Sequence, residues 1–267
     1  MKLKRRHFLG LLAGAIPAMA GTEAYLLEPE WLAIRKIRLG TGPVWQRFVQ
    51  FTDVHYRGDA TYLHRVVTEI NQLAPDFVCF TGDLVEEAGF FAPALELLRG
   101  IRAPLFGIPG NHDHWCGADF GLARRVFAAG GGAWLLNEQV VLAGGELLLT
   151  GADRLPCPVG ASSRAFNLLL MHYPLWAEQL QGARMDLLLA GHSHGGQVRI
   201  PGLGAVIKPS LTGRYEMGHY ESPAGLLYVN PGIGTFHLNV RFNCRPELTV
   251  FELGSPPYRL QDALTVA

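Results

Sequence analysis

The chain is poor in the features that mark several common classes of protein. Among its 267 residues there are only four cysteines, 17% of residues are charged, and 23 Lys and Arg are cancelled by 23 Asp and Glu. Cys79, Cys116, Cys157 and Cys244 include no C-x-x-C pair and no short zinc-ribbon spacing, which argues against a zinc ribbon or a dithiol redox centre. Cys79 lies inside an apolar run, so mostly free thiols are expected rather than a disulfide framework. The missing basic excess argues against binding nucleic acid through bulk charge, and no specific nucleic-acid partner is indicated. No apolar run approaches the roughly 20 residues needed to span a membrane. With 49% hydrophobic residues the chain is too apolar for disorder and long enough to bury one large α/β core.

The neutral total conceals an asymmetry. The first 20 residues carry Lys2, Lys4, Arg5 and Arg6 and no acid, leaving 19 basic against 23 acidic residues in a body at −4. An apolar stretch from Phe8 to Ile16 follows, then Ala18-Met19-Ala20, small residues that suit a signal peptidase. Arg5-Arg6-His7-Phe8-Leu9 resembles a twin-arginine export signal, with Lys4 where Ser or Thr is usual and Gly10 where Lys is frequent. That resemblance implies the twin-arginine export machinery as a partner and the periplasm or cell envelope as destination; an uncut leader would hold the protein on the membrane. The expected organisation is a leader (1–20), a connecting segment (21–44) and a single catalytic domain (45–267). Ala33 to Leu39 mixes Ile34, Ile37 and Leu39 with three basic residues, compatible with a basic segment lying on a membrane but favouring an early strand.

Five strand-length apolar runs end in polar residues able to bind metal. They are Phe48 to Phe51 then Asp53, Phe77 to Phe80 then Asp83, Pro104 to Ile108 then Asn111, Leu168 to Met171 then His172, and Asp186 to Ala190 then His192. Helical signals lie between them. Thr61 can cap a helix with Leu63, Val66, Val67 and Ile70 on one face; Phe90 to Leu98 and Asp119 to Ala129 read similarly, and Pro174 can open a helix through Leu180. Alternating strands and helices predict a largely parallel sheet with ligands at the carboxyl ends of its strands. Leu147 to Thr150, Leu226 to Val229 and Leu248 to Leu253 are expected to complete a second sheet.

The strand-end residues form Asp53-x-His55, Gly82-Asp83, Gly110-Asn111-His112-Asp113, His172 and Gly191-His192-Ser193-His194. Any one alone is more often a turn residue or a solvated side chain than a ligand. Together they hold five of the ten histidines. In order, type and spacing, over roughly residues 45–200, they resemble the calcineurin-like metallophosphoesterases. Gly195-Gly196-Gln197, the tail Asn243-Cys244-Arg245-Pro246-Glu247 and the leader extend the resemblance to exported bacterial phosphodiesterases of the YaeI and YkuE type.

The resemblance implies a four-layer αββα sandwich and two divalent metal ions. Asp53, His55, Asp83 and His194 would hold the first metal; Asp83, Asn111, His172 and His192 the second, with Asp83 shared. A donor set of imidazole, carboxylate and amide without thiolate favours Mn, Fe or Zn over Ca. The implied reaction is hydrolysis of a phosphodiester or phosphomonoester, a phosphoester being the substrate. Relatives also suggest a pyrophosphatase acting on a UDP-linked lipid A precursor of the UDP-2,3-diacylglucosamine type. His112, outside the metal set, would contact the phosphoryl group or protonate the leaving oxygen, with Asp113 orienting it. Asn111 and Arg241 are further candidates for substrate contact; Arg57 and Arg214 could equally be surface charge.

Two rival readings remain at this stage. Gly191-His192-Ser193-His194-Gly195 satisfies G-x-S-x-G, so Ser193 could be a hydrolase nucleophile, with Glu216 or Glu221 and His237 as partners. Gln197 to Pro201 reads as a strand rather than the helix that such an elbow feeds. A metal-binding module without turnover is the other, and His112 speaks against it because a structural metal needs no extra acid.

Overall fold

The computed structural model describes residues 21–157, 160–180 and 185–266; the leader lies outside the described residues. Two sheets face one another. The first runs β13 (Glu247–Val266), β1 (Ala33–Phe51), β2 (Phe77–Phe80), β3 (Leu105–Gly107), β4 (Ala133–Trp134). The second runs β11 (Gly218–Ser222), β12 (Gly225–Val229), β8 (Met185–Ala190), β7 (Phe166–Met171), β6 (Leu147–Ala152), β5 (Glu138–Leu142). β9 (Arg199–Ile200) and β10 (Gly204–Ala205) make a small separate hairpin. The five runs that end in polar residues are β1, β2, β3, β7 and β8, divided between the two sheets.

Each sheet is parallel at its centre. β1–β2, β2–β3 and β3–β4 pair in parallel, as do β6–β7, β7–β8 and β8–β12, while the hairpins β5–β6 and β11–β12 close the second sheet's edges. β1 folds back on itself. Its first arm runs parallel to β13 from Ala33↔Glu247 to Thr41↔Ser255, and its second arm runs antiparallel to the same strand from Gln46↔Leu253 to Gln50↔Thr249. The connecting segment therefore belongs to the first sheet from Ala33 onward, as the strand reading of Ala33 to Leu39 expects. Leu248 to Leu253, expected in the second sheet, lies in the first instead. Its neighbour is set by backbone pairing across 200 residues, which a local pattern of apolar residues does not encode.

Alternation along each strand sorts side chains into three cores. From β2, Phe77 and Cys79 face the second sheet while Val78 and Phe80 face the helices. From β7, Leu168 and Leu170 face the first sheet while Leu169 and Met171 face outward. The helical layer comprises α1 (Ala60–Gln72), α2 (Phe91–Leu98), a short α3 (Asn111–Trp115) and α4 (Phe120–Ala129). α1 buries Leu63, Val66, Val67 and Ile70, an i, i+3, i+4, i+7 stripe. Its cap is Asp59, whose carboxylate accepts from Thr61 N and Tyr62 N, rather than Thr61 itself. A carboxylate two residues earlier reaches the free N–H groups of the first turn and adds a favourable charge there.

The fourth layer is thin among the described residues. In place of a helix through Leu180, Pro174–Glu178 forms a 3₁₀ turn, and its second residue donates its N–H to Leu211 O of a neighbouring loop. With Ala177 and the fully buried Tyr215 it covers the outer face of the second sheet.

The middle core is anchored by Phe48, whose ring stacks at 4.9 Å on Phe77 and at 4.9 Å on Phe251. Phe48 has no solvent exposure. Phe48→Ala should remove both stacks and leave a cavity at the inter-sheet seam, costing about 3–5 kcal/mol. Thermal and urea denaturation of the purified protein measure the loss.

Candidate metal centre

The carboxyl ends of both sheets meet at one edge, and the strand-end residues converge there. Asp53, His55, Asp83, Asn111, His172, His192 and His194 are all buried. Asp83 sits at the centre. Its Oδ2 lies 3.2 Å from His172 Nε2 and 3.7 Å from His55 Nε2, and its Oδ1 accepts from His112 N at 2.8 Å. On one side, His55 Nε2 and His194 Nε2 face each other at 3.1 Å, with Asp53 Oδ1 at 3.5 Å from the latter. On the other, His172 Nε2 lies 3.0 Å from Asn111 Oδ1, with the His192 ring at 5.0 Å. Ligand atoms of Asp53, His55 and His194 lie within 4.8 Å of one another, as do those of Asp83, His172 and His192, and those of His55, Asp83 and His112.

Backbone conformation aims these groups. Asp53, His55, Asp83, His192 and His194 all have positive φ, between 44° and 67°. Such left-handed backbone costs a non-glycine residue on the order of 1–3 kcal/mol, and strain of this kind concentrates at functional sites. Close approach does the rest. A Cβ on Gly110 would fall inside the Asp83 carboxylate, and one on Gly191 would overlap Thr52 Oγ1 and Asp53 Oδ2. Both glycines let one strand end press against the carboxylate of another.

Hydrogen bonds behind the ligands set their tautomers. His172 Nδ1 lies 2.8 Å from Thr81 O and must donate to it, which turns Nε2 toward Asp83 and Asn111. His192 Nε2 donates to Ser210 O at 2.6 Å, leaving Nδ1 to face inward. Both of the Asp53 carboxylate oxygens accept from His192 N at 3.0 Å, tying the end of β1 to the turn after β8.

The electrostatics fit a cation. Asp53 and Asp83 are essentially unexposed, and among the described residues no Lys or Arg pairs with either. Burial drives the Asp53 carboxyl up to about 6, with His172 opposing and Asp83 adding to the rise. Burial also opposes ionisation of Asp83, but the imidazoles of His172 and His55 outweigh it and hold Asp83 below the usual carboxylate range. For His172 burial resists the charge while Asp83 overcomes it, raising the ring to about 9. His192 goes the other way, lowered to about 4 by burial and by His172, and burial with His55 puts His194 well below the ordinary imidazole range. With His192 and His194 held neutral, His172 alone is raised toward the charged form beside two buried carboxylates, and divalent cations would supply the remaining positive charge. The buried His194 Nδ1 and His55 Nδ1 have no hydrogen-bond partner, though Glu86 Oε1 stands 3.3 Å from the latter.

Three expected roles change. Asp113 does not orient His112: its carboxylate accepts from the backbone N–H groups of Asp83, Leu84, Val85 and Gly110 at 2.9 to 3.2 Å. The residue holds the loop after β2 against the loop after β3 by giving four of their backbone amides an acceptor. Arg241 is no substrate contact. It is fully buried, and its guanidinium donates to the carbonyls of Pro231, Gly232, Gly234 and Cys244. Ser193 is unexposed and its Oγ accepts from Gly195 N at 3.1 Å, in a turn that leads to a 3₁₀ segment rather than a helix, so the nucleophile elbow is not formed. Arg57 pairs with Glu86 at 2.6 Å and Arg214 with Glu178 at 3.2 Å. All four cysteines are free, as expected.

The sequence held no signal for Phe236, Glu86 or Tyr173. The Phe236 ring packs at 4.8 Å on His112, 5.7 Å on His55 and 6.1 Å on His194. Tyr173 packs at 4.6 Å on His192. The two rings flank different groups of candidate ligands, and Phe236 comes from a turn-rich stretch about 40 residues beyond the last histidine motif.

Arg241→Ala should remove charge-assisted bonds to four backbone carbonyls, of which Gly232 O keeps the N–H of Glu247, costing about 3–5 kcal/mol. Differential scanning calorimetry should register the loss, while KM of the remaining folded enzyme for a small phosphoester stays unchanged; a large rise in KM would return Arg241 to the substrate site.

Residues 46–196 match the family model for calcineurin-like phosphoesterases. The chain is 33% identical to a protein described as the uncharacterized metallophosphoesterase YkuE of Bacillus subtilis (strain 168), with 95% of this chain and 99% of that protein covered. It is 28% identical to the phosphodiesterase YaeI of Escherichia coli (strain K12), covering 94% of this chain and 99% of that protein. Among solved structures, TT1561 of Thermus thermophilus aligns with a TM-score of 0.48 at 13% identity, over 72% of this chain and 91% of that one. With more than half of its length matched by the family and a full-length relative at this identity, the chain belongs to the calcineurin-like phosphoesterases, metal-dependent hydrolases of phosphate esters.

Proposed function

We propose that the protein hydrolyses phosphodiester bonds at a dinuclear centre in the cell envelope. The observation that carries this reading is the Asp83 carboxylate, buried between two sets of imidazoles, 3.2 Å from one and 3.7 Å from the other. A preference for diesters draws on the similarity to YaeI, described as a phosphodiesterase. Export by the twin-arginine route rests on the leader alone, and it suits a site whose ligands span positions 53 to 194 and assemble only on folding.

Asp53, His55, Asp83 and His194 would hold one divalent ion, and Asp83, Asn111, His172 and His192 the other, drawn from Mn, Fe or Zn. Bound there, such ions neutralise phosphoryl charge and bring the pKa of a coordinated water toward neutrality. The chain's own residues do the rest. Thr81 O and Ser210 O hold one nitrogen each of His172 and His192, fixing how the two rings face the centre. Phe236 and Tyr173 narrow water's access beside the ligands. His112, half-buried, packs edge-on against His55 at 4.9 Å and receives its backbone orientation through the bond from its N–H to Asp83. Burial lowers the His112 pKa and the Asp83 carboxylate works against that. An arriving phosphoryl anion adds further negative charge, which favours the imidazolium and suits the ring to protonate a leaving alkoxide.

Two substitutions separate the roles. Asp83→Asn should reduce bound transition metal to well under one equivalent per chain, read by elemental analysis of the purified protein, and turnover should vanish with it. His112→Ala should keep metal content near that of the wild type while kcat on an artificial diester falls by about 10²–10⁴-fold. Loss of both metals in the His112 variant would instead make His112 a ligand.

A further inference from the structure

We propose that the rim of the site docks on a lipid surface, through the tip of the β9–β10 hairpin, the loop that follows it, and the segment 25–27. Leu203 at the hairpin tip is 73% exposed and Ile207 in the following loop 76% exposed, beside exposed Ile200 and Val206. Large aliphatic side chains grouped this way on loops have no packing role in a soluble face. The loop they occupy is joined to the metal centre: Ser210 O accepts from His192 Nε2, and Leu211 O accepts from Leu175 N. Exposed Leu238 follows Phe236 by two residues, and its carbonyl accepts from Gln197 Nε2 shortly before the hairpin. Trp115, 73% exposed, packs tilted against His112 at 4.8 Å.

The N-terminal segment continues this surface. Arg241 N donates to Ala24 O, and Arg199 N donates to Phe242 O, so residues 24–27 and the hairpin flank the same stretch of backbone. Tyr25, Leu26 and Leu27 are all more than half exposed. Twenty residues of chain precede Gly21, beginning with Lys2, Lys4, Arg5 and Arg6 and continuing with the apolar Phe8 to Ile16. Cations for anionic headgroups, Trp and Tyr at the boundary and aliphatic tips to insert are the chemistry of a bilayer surface. One weak membrane signal gives marginal attachment in general, and two together give stable attachment. The docking stands independently of the reaction; combined with the proposed hydrolysis, it would present the site to phosphoesters at headgroup depth.

The test uses the full chain and sedimentation with vesicles of phosphatidylglycerol and phosphatidylethanolamine. Wild type and Val141→Asp, a change at an exposed apolar residue on the far edge of the second sheet, should bind alike. The Leu203→Asp/Ile207→Asp and Leu26→Asp/Leu27→Asp pairs should each lower partitioning by at least about tenfold. Circular dichroism melting and turnover of a soluble diester, both expected within about twofold of wild type, show that each variant is folded. Partitioning unchanged in the Leu203/Ile207 pair overturns the proposal. So does a concentration-dependent dimer abolished by that pair with no vesicle binding by the wild type, which would make a second copy the occupant. Vesicle binding that follows expectation while no form turns over a phosphoester would sink the catalytic reading and leave the docking standing.

Discussion

Everything at the catalytic edge is arranged around the Asp83 carboxylate. It is buried, it ends a strand of the first sheet, and its neighbours come from elsewhere: His55 from the turn after β1, His172 from the end of β7 in the second sheet, and the His112 amide from the start of α3. A carboxylate without Lys or Arg partners is tolerable in the interior only when other groups bring compensating charge. His172, raised to about 9, supplies it as a proton, and metal ions would supply it more strongly. Asp113 contributes from behind, collecting the backbone amides of the Asp83 loop and of Gly110 onto a single carboxylate.

That demand explains much of the local strain. Five of the candidate ligands sit at positive φ, and the glycines at 110 and 191 stand where any side chain would overlap a carboxylate or Thr52. The cost of these conformations must be met by packing elsewhere, and the inter-sheet core is where it is met. Phe48, between Phe77 and Phe251, joins the strands that carry Asp53 and Asp83 to the strand that closes the chain. The rigid seam holds ligands from two sheets in register with one another.

Strand positions were legible because apolar runs stop abruptly at polar residues: β2 and β8 end where Phe80 and Ala190 end their runs. Helices α1 and α4 were legible from their apolar stripes, although the cap of α1 proved to be Asp59. The partition into sheets was not legible. Leu248 to Leu253 reads like any other strand, and only its pairing with both arms of β1 assigns it to the first sheet. The place of Arg241 was not legible for a similar reason. A guanidinium in the sequence says nothing of whether it faces a phosphate or four backbone carbonyls.

The sequence by itself determined the reactive inventory: which residues can ligate a metal, that they follow strands, their order and their family, because these are properties of residue type and spacing along one chain. The tertiary structure alone decided which of them meet, that Asp83 stands between both groups of imidazoles, that Asp113 and Arg241 hold backbone rather than substrate, and that Phe236 and the exposed hairpin rim the site. Those outcomes depend on how two sheets are set against each other. That arrangement is fixed by pairings between residues tens to hundreds of positions apart, so no local window of sequence contains it.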